Sequence, residues 1–217
     1  MPDNVTIPVT QSVGRALVPL APVSVGEEAA AREKSTPEIV APAPVNCFSG
    51  EDVGAILREH AWLDASQQAA GNADLAAWLA RAAQLLGPHA PDSASLGALL
   101  TLIFNYDAAA NFCASENQSL LAREGAREVI RELAGHIFEG ADVDSDRFKE
   151  IIDALKAALP YRGRALFHPI RLALAGRAGE GEFDRVILLL DTAAKLLFAP
   201  PVKGTRQRML EFCAALD

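Results

Sequence analysis

The residues best suited to chemistry lie between Tyr161 and Arg177, in the stretch YRGRALFHPIRLALAGR. It holds four arginines and no carboxylate, in a chain whose formal net charge is −8. Pro169 is well placed as the first residue of a helix and Gly176 as the residue just past its end. PIRLALA therefore predicts a helix of about two turns. Arg171 is then the third helical residue, where the dipole is positive and an exposed cation costs roughly 0.3–1 kcal/mol. Helix stability does not explain that placement. An anionic guest would, because a helix mouth with an added guanidinium suits a phosphate or the acceptor edge of a base. So would an internal ion pair with a carboxylate from elsewhere in the chain. The residues alone leave both open.

No other constellation points to catalysis. His60, His89, His136 and His168 stand apart, and none has a partner at ligand spacing such as HExxH. DVDSD at 142–146 matches the start of a calcium loop but lacks the glycine and later glutamate that complete one. It reads better as an acidic helix N-cap. Cys47, Cys113 and Cys213 form no CxxC pair, which fits reduced thiols in a cytoplasmic protein. There is no Gly-rich phosphate loop and no GxSxG. No enzyme activity, cofactor or metal is expected.

The elements that must position the arginines are helices. Half of the residues are apolar and only 6% aromatic, with Ala and Leu recurring throughout; that composition leans away from sheet. Residues 1–45 hold seven of the thirteen prolines and read as a Pro-rich, flexible tail. From Ser49, which opens a capping box, the apolar residues recur at helical spacing. Helices are expected from Ser49 through Ala61, over 75–86, from Ser95 to about Cys113 and over roughly 116–138. Others follow from 144 or 145 to 159, over 169–175, from Phe183 to Leu197 and from Thr205 to Leu216. The expectation is an all-α helical bundle of seven or eight helices over 46–217.

Charge is uneven along this layout. Residues 1–45 carry three Lys/Arg against five Asp/Glu, residues 46–159 eight against seventeen, and residues 160–217 nine against six. Nucleic acid should be repelled by the whole and tolerated by the C-terminal third. The longest uncharged apolar-rich run, SASLGALLTLIFNY, is shorter than the roughly 20 residues a bilayer requires. No signal peptide is evident, so no membrane role is expected.

The arginine stretch and the EFDRVILLLDTAAKLL that follows resemble the end of bacterial glutamyl-tRNA synthetases. There a Lys/Arg-Gly-Lys/Arg, then Phe-x-Pro-Leu/Ile-Arg-x-Ala-Leu-Thr-Gly, precede a Leu-rich helix. The matching residues are Arg162, Gly163, Arg164, Phe167, Pro169, Ile170, Arg171, Ala173, Leu174 and Gly176. The resemblance is clearest over 146–198 and extends weakly back to about residue 95. It implies the all-helical anticodon-binding domain of a class I aminoacyl-tRNA synthetase. It also implies RNA contacts from Arg171 first, then from Arg164, Arg177, Arg162 and the Ala178–Phe183 loop with Phe183. The implied partner is tRNA, glutamate-type, or another structured RNA, and one expected use is action in trans beside a catalytic synthetase-like protein.

Departures from the family pattern are visible as well. Ala175 stands where the family has Thr, and DTAAK where Gly-Lys-Glu is usual. The chain runs on past Pro200. Neither the His-x-Gly-His signature nor the Lys-Met-Ser-Lys-Ser loop of the catalytic domain occurs. The expected protein is therefore a non-catalytic paralogue that binds RNA. The alternative is a protein-interaction or regulatory module that kept the fold and lost the RNA, which the acidic middle region and the scarce aromatics favour.

Overall fold

The structure is a computed structural model, and it describes residues 46–64 and 72–216. The Pro-rich segment 1–45 lies outside the described residues. Among them no strand occurs, and ten α-helices follow one another. They are α1 Gly50–Glu59, α2 Ala73–Leu86, α3 Ser93–Phe104, α4 Ala108–Cys113, α5 Ser115–Leu121, α6 Ala126–Glu139, α7 Ser145–Ala158, α8 Arg164–Ala175, α9 Glu182–Ala193 and α10 Thr205–Leu216. None is long and apolar enough to cross a membrane.

Local chemistry sets most of the starts. Ser49 and Asp52 close a reciprocal capping box on α1. Asn72, Asp92, Asp107 and Asp144 each accept a backbone N–H at the mouth of α2, α3, α4 and α7. These hydrogen bonds hold the Asp52 and Asp92 carboxyls below the usual carboxylate range.

Several boundaries differ from the periodicity: the expected helix from Phe183 to Leu197 ends at Ala193 and leaves Leu197 exposed. The expected helix from Ser95 to Cys113 is broken at Asn105–Asp107, because Asp107 caps a new start and Tyr106 turns inward. The expected helix over 116–138 is broken at Gly125, whose φ of 79° suits glycine alone and lets the Tyr161 ring lie against its backbone. Ala61 lies beyond α1 at φ 56°, exposed rather than on the buried face.

Helices α8 and α9 occupy the centre. α9 packs on α2 and α3, while α8 packs on α6 and α10. Val186 to Leu190 and Ala193 of α9 are all buried, so the middle of this helix is apolar on every side, with the Asp191 carboxylate buried beside it. Burying each of its Val, Leu and Ile side chains contributes about 1.5–3 kcal/mol. The chain after Pro200 closes the core: Met209 and Phe212 of α10 are fully buried, and α10 packs on α4, α6 and α8.

One cation lies inside that core. Arg208 is fully buried and donates to the carbonyls of Leu102 (3.0 Å), Ile103 (2.5 Å), Leu174 (2.7 Å) and Lys203 (2.9 Å). The first three belong to the last turns of α3 and α8, which lack intrahelical partners and carry the negative ends of two dipoles. Its guanidinium also stands 4.5 Å from the centre of the Tyr106 ring. Burial pushes its pKa down to about 10, which leaves it charged at neutral pH.

Candidate nucleic-acid interface

Pro169 does not begin a helix. The chain enters α8 at Gly163, with φ 53°, and Pro169 is the sixth of twelve helical residues. The proline has no N–H for the Ala165 carbonyl, but Ala165 is exposed and water can serve that oxygen. Arg164 is now the residue in the positive first turn, and Arg171 lies a full two turns further in.

Arg171 does not project outward uncompensated, the arrangement that an anionic guest and the RNA contact implied by the resemblance would require. It is buried, and its Nε and Nη2 donate side-on to the Asp184 carboxylate at 2.7 and 2.8 Å. Nη1 donates to the Gly179 carbonyl at 2.5 Å, and the guanidinium stands 5.1 Å from the centre of the Phe167 ring. The physical reason is burial: a guanidinium taken out of water needs a partner on each donor edge, and the start of α9 supplies it. The internal ion pair is the alternative the structure shows.

The other motif arginines divide in the same way. Arg162 donates to the carbonyls of Lys156, Leu159 and Tyr161 at 2.5–2.6 Å, closing the C-terminus of α7 where a cation meets the dipole favourably. Arg164 is 77% exposed and meets Glu180 at 3.2 Å across the turn. Arg177 is exposed and makes no ion pair among the described residues. Of the four, it alone faces solvent with its charge unengaged.

The turn that carries Arg177 is tightly held. Gly176 ends α8 at φ 82°, where a side chain would be strained. Gly179 gives its carbonyl to Arg171, and a Cβ there would lie 1.9 Å from the Phe183 ring. Phe183 therefore lies close against the Gly179 backbone, half-buried and packed against the core. Below it, burial and the Arg171 and Arg164 cations hold the His168 imidazole below its ordinary pKa.

Arg177 and Phe183 form one wall of a cleft of about 470 Å³. Leu99 and Leu102 of α3 provide an apolar wall opposite, with His89 and Glu182 at the rim. Past His89 the cleft opens into a wider groove lined by Arg81 and Arg185. Sequence spacing did not single out this second wall or the groove arginines. The wall comes from a helix about eighty residues away, and no local pattern reports such a pairing. Among the described residues no group of three or more His, Cys, Asp or Glu is placed to hold a metal.

A cleft that offers a cation, a ring and an apolar wall suits a splayed base with its phosphate. Comparison with known proteins gives this geometry a context. The glutamate–tRNA ligase 2 of Syntrophus aciditrophicus (strain SB) is 29% identical over 119 residues, covering 52% of this chain and 23% of that protein. The chain thus spans about a quarter of the length of that relative. No solved structure matches. The family model for the anticodon binding domain matches residues 55–191, more than half of the chain, from α1 to near the end of α9. The chain belongs to the anticodon-binding-domain family.

Proposed function

We propose that this chain is a non-catalytic RNA-binding module whose ligand is tRNA, glutamate-type by the likeness to its relative. The observation that carries the reading is the exposed Arg177 guanidinium, in no ion pair among the described residues, lining a cleft with Phe183 and apolar residues of α3. A base would enter against Phe183 and the leucines, and Arg177 would meet its edge or its phosphate. Arg164, exposed at the start of α8, can exchange Glu180 for a phosphate at little cost, since exposed pairs contribute about 0–1 kcal/mol.

Arg171 and Arg162 then serve by shaping the site. Arg171 fixes the turn that presents Arg177, and Arg162 fixes the end of α7 before α8 begins. Binding in this way requires neither cofactor nor metal. It would let the chain act in trans, beside a catalytic synthetase-like protein.

The test is a titration of total tRNA into the full chain at low and moderate salt. Binding that weakens steeply as salt rises supports the reading, because phosphate contacts release counterions. Absence of binding, or indifference to salt, removes it and leaves a protein-interaction module.

A further inference from the structure

The cleft at Arg177 is one end of a longer trough. Its rim residue His89 also lines the next compartment, of about 940 Å³, together with Arg81, Gln84 and Arg185. Arg81 in turn lines a third compartment of about 380 Å³ with Trp78, Thr192 and Lys195. Neighbouring compartments share lining residues, His89 between the first two and Ala77 and Arg81 between the second and third. They follow α9 from Phe183 in its first turn to Thr192 in its last, a distance of about 14 Å at 1.5 Å per residue.

Cations recur along this path in an otherwise acidic chain. Arg177, Arg185, Arg81 and Lys195 succeed one another, and the first three make no ion pair among the described residues. Lys195 is held by Asp142. The acidic lining is confined to the two ends, Glu182 at one and Asp74 at the other, and the central compartment has none. Helix stability does not place Arg185 where it is, in the first turn of α9, because a cation there opposes the dipole. Asp184 beside it is already engaged by Arg171.

We propose that the central compartment, through Arg81 and Arg185, tracks the sugar–phosphate backbone of a single strand whose base occupies the Phe183–Arg177 cleft. The proposal rests on the RNA reading and adds the direction of the strand, along the seam between α2 and α9. Two guanidiniums lining a groove with few aromatic rings suit backbone contact rather than base readout. Arg81 and Arg185 should therefore contribute affinity without sequence preference.

The experiment uses the full chain, total tRNA and a single-stranded oligouridylate as probes. Arg81→Gln/Arg185→Gln is compared with a control at exposed arginines outside the trough, Arg58→Gln/Arg131→Gln, with melting curves on all proteins. The expected result is that the trough variant melts like the wild type and loses roughly tenfold in affinity for both probes. Its salt slope should fall by about 1.5, from two lost phosphate contacts. Wild-type binding that survives Arg81→Gln/Arg185→Gln with its slope intact, or that falls equally in the control, overturns the trough and leaves the RNA reading standing. A wild type that binds neither probe but captures polyglutamate overturns both.

Discussion

The Arg171 guanidinium and the Asp184 carboxylate meet side-on, through hydrogen bonds of 2.7 and 2.8 Å, across the turn between α8 and α9. The pair is nearly dry on the arginine side, 9% exposed, and only 20% exposed on the aspartate side. Removing one partner strands the other. Arg171→Ala should destabilise the fold by about 3 kcal/mol; Arg171→Lys should lose less, because it keeps a charge for Asp184, and still lose some, because an ammonium cannot reproduce the two-pronged contact. The double variant Arg171→Ala/Asp184→Ala should lose less than the sum of the two singles in denaturant melts. Additive losses would mean that the two side chains do not act as a pair.

Arg208 makes a second prediction, this one on stability alone. Its side chain serves carbonyls at the ends of both α3 and α8. Arg208→Met keeps much of the volume but leaves buried acceptors unpaired, at about 1–3 kcal/mol each. Urea melts should show a loss of at least about 3 kcal/mol. A near-neutral Arg208→Met would mean that water or a shift of α10 replaces the guanidinium.

Gly179 links the scaffold to the cleft. Gly179→Ala places a methyl group 1.9 Å from the Phe183 ring, so the ring must leave its seat. Such overpacking costs about 1–3 kcal/mol. The expected outcome is a lowered melting temperature together with weakened tRNA binding. Wild-type affinity in Gly179→Ala would exclude Phe183 from the interface.

His168 gives the fold a dependence on pH. Burial first, then the Arg171 and Arg164 cations, hold its folded pKa below the ordinary value of 6.5, against a smaller opposing pull from Glu180. The unfolded chain therefore takes up the proton first as pH falls through about 6.5, and stability declines until the folded value is passed. His168→Gln should flatten the melting temperature between about pH 7 and 5 relative to wild type. An unchanged profile would assign the loss to other groups.

What the sequence made legible follows the range of each signal. Caps and apolar periodicity are local, and Ser49, Asp144 and the stripes of α2 and α7 are placed as their spacing indicates. The breaks at Asp107 and Gly125 were hidden, because the apolar pattern runs on across them. Pro169 misled for a definite reason. Proline is favoured at a helix start, but Gly163 starts this one earlier and the exposed Ala165 tolerates the missing bond. The fate of Arg171 could not be read locally either, since its partner lies thirteen residues on, in the next helix. Arg81, Arg185 and the α3 wall come together only when α2, α3 and α9 pack.

The most direct measurement is a tRNA titration of Arg177→Gln beside wild type, followed by fluorescence anisotropy at about 50 and 200 mM salt with melting curves alongside. An unengaged guanidinium should leave with no change in melting temperature and carry away several-fold in affinity at the lower salt. Its loss should also make the response to salt shallower. Binding by Arg177→Gln that matches wild type at both salts would show that the outward cation of the α8–α9 turn meets no RNA.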